Sequence, residues 1–234
     1  MKLALIGYGA MGKLVENLAV AAGDEIGSKV TSTDASKDAA QVATGLRGHD
    51  VAIDFSVASA VLRNIEACAL AGVPLVEGTT GWQEKEAEAR SLITDHQGAL
   101  VYGANFSVGV NVFYRIVSQA AMLMAGLDQY EAFMEEEHHA RKRDAPSGTA
   151  LKLKALMSEH IRSEIPIASV RAGHIPGTHR VGFDSAADQI TLTHMARSRE
   201  GFASGALLAA RWIVGRKGVY EFSEAVTEIL KSDE

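Results

Sequence analysis

Along the first half of the chain, short continuous apolar runs alternate with longer stretches of helical periodicity. Leu3-Ala4-Leu5-Ile6 is the first such run. Its unbroken apolar character is what a strand buried on both faces requires. The same pattern predicts strands at 25–31, 50–56, 73–77 and 99–102, with helices at 13–22, 39–46, 58–71 and 82–97 between them. Strands alternating with helices imply a parallel sheet. The turns after the first, third, fourth and fifth strands would then share one edge, the carboxyl edge, where open α/β sheets bind ligands.

The rhythm changes after a long apolar helix at 108–127, placed at a domain junction. A strand follows at 130–137, with Tyr130, Ala132 and Met134 alternating against Glu131, Phe133 and Glu135. A helix at 149–162 and strands at 167–171, 179–185 and 188–196 complete a region with few helices between its strands. That pattern implies an α+β region with an open sheet. A helix at 202–214, a break at 215–218 and a last helix at 222–230 close the chain, with Ser223 as the expected N-cap.

Composition narrows the classes. The chain has 234 residues, 47% hydrophobic and 22% charged, enough for a normal core in one large or two modest domains. A net charge of −6 argues against a general nucleic-acid binder. The single cysteine, Cys68, leaves no internal disulfide and no multi-cysteine metal site, and its helical setting makes it a core residue. No secretory h-region and no apolar run long enough to span a membrane is visible, so a soluble cytoplasmic protein is expected.

Two stretches carry candidate chemistry. Gly7-Tyr8-Gly9-Ala10-Met11-Gly12 lies between a strand and a helix, the setting of the G-x-G-x-x-G dinucleotide fingerprint. Gly7 would permit the tight turn, Gly9 would let backbone approach a pyrophosphate, and Gly12 would let helix and strand pack closely. The ribose-binding acid should follow the second strand, and Asp34 is the candidate; a polar turn or a helix cap is the alternative reading. No arginine lies close by to take a 2′-phosphate, though Lys29 and the nearby hydroxyls leave that open. The other edge turns, Phe55-Ser56, Gly78-Thr79-Thr80-Gly81 and Gly103-Ala104-Asn105-Phe106-Ser107, favour a cofactor crevice by repetition.

The second stretch, 135–150, reads E-E-E-H-H-A-R-K-R-D-A-P-S-G-T-A. Pro146, with Ser147 and Thr149 as capping hydroxyls, marks a helix start whose exposed N–H groups around Gly148 suit an anion. Lys142, Arg141 and the histidines add positive charge, and a histidine can give up a proton during reaction. The pattern suits a small dicarboxylate; a solvated basic loop is the alternative. Adjacent histidines are badly spaced for a metal, and no metal is expected.

The string E-x-H-H-x-x-K-x-D-A-P-S-G-T-A, with G-T-T-G at 78–81 and N-F-S-V-G-V-N at 105–111, resembles the 4-hydroxy-tetrahydrodipicolinate reductase family of lysine and diaminopimelate biosynthesis. The likeness continues through V-R-A-G-H-I-P-G-T-H at 170–179 and S-R-E-G-F-A-S-G-A at 198–206, covering essentially the whole chain. It implies an α/β protein: an N-terminal Rossmann-type parallel-sheet domain (1–105 and 200–234), plus a central α+β substrate and oligomerisation domain (106–199) with an open mixed sheet. It implies NADH or NADPH as cofactor, a small dicarboxylate substrate and a homotetramer.

By that resemblance His138 would be the general acid. His139 and Lys142 would bind the substrate carboxylates, with Lys142 also assisting the proton step. Ser147, Gly148 and Thr149 would hold a carboxylate, and Thr80 would touch substrate or nicotinamide. Gly78 and 104–106 would line the nicotinamide pocket, with Ala10, Met11, Phe55, Ser56 and Thr79 also at the cofactor. Arg199 resembles the arginine near the second hinge. One departure stands out: Ala10 sits where the family commonly has a basic residue. NADH is therefore expected to serve at least as well as NADPH. The runner-up readings are a related two-domain dehydrogenase of another dicarboxylate, such as aspartate, and a nucleotide sensor without chemistry.

Overall fold

The computed structural model describes residues 1–231, which fall into two compact units, Met1–Val108 with residues 200–231, and Gly109–Arg199. The first unit runs β1 (Lys2–Ile6), α1 (Ala10–Ala21), β2 (Glu25–Val30), α2 (Ala39–Leu46), β3 (Val51–Asp54), α3 (Val61–Ala71), β4 (Leu75–Glu77), α4 (Glu86–Asp95) and β5 (Ala99–Tyr102). The second holds α5 (Val108–Met124), whose first residue belongs to the first unit, then β6 (Glu131–His138), α6 (Gly148–Ser158), β7 (Ile167–Arg171), β8 (Thr178–Asp184) and β9 (Gln189–Met195). The chain then returns to the first unit as α7 (Glu200–Ile213), β10 (Gly218–Glu221) and α8 (Phe222–Lys231).

The first unit's sheet is six-stranded and wholly parallel, in the order β10-β5-β4-β3-β1-β2. Strand alternation feeds two cores. Leu3 and Leu5 pack with Val15 and Ala19 of α1 and with α7 and α8, while Ala4 and Ile6 pack with α2, α3 and α4. Helices therefore cover both faces, which is why these strands read as continuous apolar runs. Cys68 is buried in the second of these cores, as its pattern implies.

Several elements differ from their sequence-based expectation. The sheet gains a sixth strand, β10, inside what reads as a break between helices. It is four residues long and pairs in parallel with β5. The helix expected over 82–97 starts later: Gln83–Lys85 is a 3-10 turn and the α-helix begins at Glu86. Trp82 turns inward and its indole N–H donates to the Thr79 carbonyl at 2.9 Å. The helix expected over 149–162 ends at Ser158. Ser223 is not an N-cap, because α8 already includes Phe222; its hydroxyl donates to Glu221, while the Glu221 N–H donates to Glu224.

The second unit's sheet has the order β7-β6-β8-β9, with β6 and β7 parallel and the other pairs antiparallel. Phe113, Val117 and Ala121 of α5 and Leu153 and Met157 of α6 cover one face, against Ala132, Met134, Val181 and Phe183. The other face carries the Glu135–Arg180 ion pair and Phe133, which lies against Gly182. Among the described residues no helix is long and apolar enough to cross a membrane.

Candidate active site

At the carboxyl edge of the parallel sheet, Gly7 has φ +82° and an added Cβ would lie 2.4 Å from the Phe55 carbonyl oxygen. A Cβ on Gly12 would come within 2.2 Å of the Gly7 carbonyl oxygen, so the α1 start can sit this close to β1 only with glycine there. No side chain caps α1 and no acidic residue occupies its first turn, which leaves its N-terminus favourable to an anion.

The loop after β2 is more tightly organised than the sequence suggests. Asp34 closes a capping box: its Oδ2 accepts from the Thr31 N–H at 2.9 Å, and its Oδ1 pairs with Lys37 at 2.7 Å. The Lys37 pairing, followed by the Thr31 hydrogen bond, holds its carboxyl below the ordinary value. This is the capping arrangement. An arginine does reach this loop, from α3: Arg63 Nη1 donates to the carbonyls of Asp34, Ala35 and Lys37 at 3.0, 3.3 and 3.3 Å. Sequence proximity could not reveal it. Lys29 is committed to Glu16 at 2.7 Å and lies 4.0 Å from the Tyr8 ring centroid.

The turns after β3, β4 and β5 divide into buried supports and exposed tips. The Ser56 N–H donates to Asp54 Oδ1 at 2.7 Å and to Thr79 Oγ1 at 3.0 Å. Thr79 is buried and Thr80 is exposed. Gly78 backs onto the Phe55 ring. Ala104 is exposed and Asn105 half-buried, its Oδ1 accepting from the Ser107 N–H. The Phe106 ring packs into the core, 4.5 Å from the Phe222 ring, so it anchors its turn rather than presenting a side chain at the edge.

In the second unit, β6 carries its inward-facing residues through Ala132, Met134, Glu136 and His138. Register does the rest. Glu136 stands opposite Ser169 on β7 and His179 on β8, and His138 stands opposite Arg171. Glu136 is 1% exposed. Its Oε1 accepts from Arg171 Nη2 at 2.6 Å, Ser169 Oγ at 2.7 Å and the Ser147 N–H at 3.0 Å. Its Oε2 lies 3.2 Å from His138 Nδ1 and 3.9 Å from His179 Nε2. Burial would raise this carboxyl, but the hydrogen bonds from Ser147, Arg171 and Ser169 prevail and hold it at about 2. It is a permanent anion.

The histidines respond in the opposite way. Burial pushes His138 below its ordinary value; Glu136 opposes this and Lys142 and Arg171 reinforce it. His179 is held at about 4, by burial and then by His138. His179 Nε2 hydrogen-bonds Ser147 Oγ at 3.1 Å, and that oxygen also caps α6 by accepting from the Ala150 N–H at 3.2 Å. Thr149 is not a cap; it lies within the first turn of α6, after the Ser147 cap. Gly148 is exposed, with open space where a Cβ would project.

Lys142 is half-buried and pairs with exposed Asp144 at 2.8 Å. His139 is half-buried, and its Nδ1 has no hydrogen-bond partner. Arg141, Arg143 and Arg199 are exposed.

Glu136, His138 and His179 are three groups whose donor atoms lie within 4.8 Å of one another, close enough to hold a metal ion. Arg171 already balances the carboxylate's charge and would repel a dication, so the cluster reads as a proton-handling network. Sequence reasoning missed Glu136, Arg171 and His179. The alternation of β6 carried a signal for Glu136, which falls two residues beyond Met134 and two before His138 on the inward face.

Comparison with known proteins is consistent from end to end. The family model for the dihydrodipicolinate reductase N-terminus matches residues 1–106, and that for its C-terminus matches 109–226. The chain is 37% identical over 244 residues to the 4-hydroxy-tetrahydrodipicolinate reductase of Christiangramia forsetii, covering 99% of this chain and 100% of that one. It is 36% identical over 258 residues to the enzyme of the same name from Archaeoglobus fulgidus, covering 96% and 99%. The fold is similar to a dipicolinate-bound dihydrodipicolinate reductase from Paenisporosarcina sp. TG-14, with a TM-score of 0.77 at 22% identity over 94% of this chain and 97% of that one. By matched family models over both of its parts and by full-length relatives, this chain belongs to the dihydrodipicolinate reductase family.

Proposed function

We propose that the protein reduces 4-hydroxy-tetrahydrodipicolinate to tetrahydrodipicolinate with NADH or NADPH, in lysine and diaminopimelate biosynthesis. The observation that carries this reading is the His138 cluster beside the start of α6, in a chain whose relatives bear that enzyme's name. When bound, the cofactor supplies the hydride. The chain's own residues have two tasks. The glycine loop and the turns at Phe55-Ser56, Gly78-Thr79-Thr80 and Ala104-Asn105-Phe106 hold the nucleotide. Gly148, Thr149, His139 and Lys142 hold a dicarboxylate, Lys142 by exchanging Asp144 for the ligand; Ser147, expected to join them, is buried and spends its N–H on Glu136 and its hydroxyl on His179 and the Ala150 N–H, so it fixes the start of α6 instead.

His138 delivers the proton. Its lowered value leaves it largely neutral near pH 7, and a bound dianion favours its charged form. His138→Gln should lower kcat about a hundredfold or more with a modest change in KM. Lys142→Ala should damage both. Near-wild-type turnover in both variants would defeat the assignment. Binding of 2,6-pyridinedicarboxylate to the NADH complex separates this reading from a nucleotide sensor, which would bind cofactor alone.

With Ala10 in the glycine loop and Arg63 spent on backbone carbonyls, NADH should serve at least as well as NADPH. A strong NADPH preference in kcat/KM would contradict this. The uncovered face of the β7-β6-β8-β9 sheet supports a homotetramer, checked by sedimentation. A cytoplasmic location fits a biosynthetic role.

A further inference from the structure

The first unit buries two carboxyl groups that the proposed chemistry does not use. Asp54 and Glu77 end adjacent parallel strands in direct register, and both are 0% exposed. Among the described residues no lysine, arginine or histidine forms an ion pair with either. Their hydrogen bonds are unequal. Asp54 Oδ2 accepts from Asn64 Nδ2 at 2.7 Å, and Oδ1 from the Ser56 N–H at 2.7 Å and Thr79 Oγ1 at 3.4 Å. Glu77 Oε1 accepts from the Thr79 N–H at 2.7 Å, while among the described residues no N–H or O–H group reaches Oε2.

Thr79 bridges the two carboxyl groups, its N–H donating to Glu77 and its hydroxyl to Asp54. Two buried carboxyl groups set in register with no cation between them favour sharing one proton, which one group donates to the other. Asp54 already has three donors aimed at it and is suited to be the anion. Glu77 has one donor and an orphan oxygen, and is suited to carry the proton. The directions agree: burial raises both groups, and Glu77, which also feels the Asp54 charge, is raised well above its ordinary range.

The pair is a junction. Asn64 Oδ1 accepts from Arg63 Nη2 at 2.8 Å, and Arg63 grips the loop after β2. Asp54 holds the turn after β3 through Ser56. Glu77 holds the turn after β4 through Thr79, whose carbonyl is fixed by the Trp82 indole. One hydrogen-bonded chain thus ties three successive edge turns together. We propose that Glu77 is a positioning residue, held as a neutral carboxylic acid whose proton is donated to Asp54, and that this shared proton fixes the Ser56 and Thr79 turns for the cofactor. The consequence for the cofactor rests on the nucleotide-binding reading above; the shared proton does not.

The test has two independent arms. Infrared difference spectra of the wild-type protein near neutral pH should show a protonated carboxylic acid band that Glu77→Gln removes. Absence of that band in the wild type overturns the proposal, whatever the cofactor does. In fluorescence titrations with NADH, Glu77→Gln should bind within about twofold of wild type, because its amide can donate to Asp54 and accept from Thr79. Glu77→Met should bind about tenfold more weakly, the size of one buried hydrogen bond lost.

The groups facing the pair are Asn64 and the Cys68 thiol on α3, Ser56 and Thr79, with Arg63 acting only through Asn64. Wild-type affinity should therefore fall at alkaline pH as the proton leaves, and that fall should be absent in Glu77→Gln. A band without any affinity change in Glu77→Met overturns the positioning role. A band in a protein that binds no NADH at all leaves the proton in place and sinks the nucleotide reading instead.

Discussion

Glu77 and Glu136 are the same residue type, equally buried, each near the end of a strand and each facing a partner fixed by strand register. They end in opposite charge states. Glu77 stands opposite another carboxyl, with no ion pair to a cation among the described residues, and burial pushes it well up. Glu136 stands among Arg171, Ser169 and the Ser147 N–H, whose hydrogen bonds overcome burial and hold it at about 2. Burial alone therefore does not decide whether a carboxyl is charged. The donors that register brings to it do. The consequence is functional: a neutral acid suits a structural lock, and a fixed anion suits a site that must orient histidines.

The largest break in this comparison is Glu136→Gln. It leaves the Arg171 guanidinium uncompensated and should destabilise the fold by about 3 kcal/mol, toward the lower end of the range for breaking a buried pair, since Arg171 keeps 16% exposure. Denaturant titration measures it, and a loss below about 1 kcal/mol would mean that Arg171 finds water instead. The second effect is in pH. Glu136 is lowered, so its contribution is present above 4.5 and lost as pH falls towards about 2. Buried neutral His179 stabilises above 6.5, and that contribution is lost as pH falls towards about 4.

Asp54 and Glu77 are raised, so their contribution is present below ordinary carboxylate values and lost as pH rises through the raised ones. Acid should loosen the Gly109–Arg199 unit first. Hydrogen exchange followed by peptide at mildly acidic pH would show it, and earlier loss of protection in β3 and β4 would contradict it. The smallest effect sharpens the contrast: Glu77→Gln, which keeps the donor and acceptor of a neutral acid, should change stability by less than about 1 kcal/mol, the worth of one ordinary hydrogen bond. A clear gain in stability would mean that Glu77 is charged in the wild type, because the amide would then remove its repulsion of Asp54.

Much of the fold was legible in advance for a plain reason. Strands covered on both faces must be apolar throughout, so β1, β3, β4 and β5 announced themselves, and Gly7 and Gly12 marked the close approach of strand and helix. β10 did not, because Gly218-Val219-Tyr220-Glu221 is too short to show a period and gains its strand character only from pairing with β5. Ser223 looked like a cap by residue type, but a helix start is fixed by backbone geometry, and Glu224 reaches back to the Glu221 N–H instead.

The candidate site divides in the same way. The run from Glu135 to Ala150 was legible because chemistry-bearing residue types were close together in sequence. The sequence by itself determined the parallel sheet, the glycine loop, the helix start at Ser147 and the family. Only the tertiary structure decided that His138 is served by Glu136, His179 and Arg171, and that Asp54 meets Glu77. His179 and Arg171 are far from His138 in the chain, as Glu77 is from Asp54, and they meet through strand register; a charge state belongs to the assembled neighbourhood rather than to any one residue.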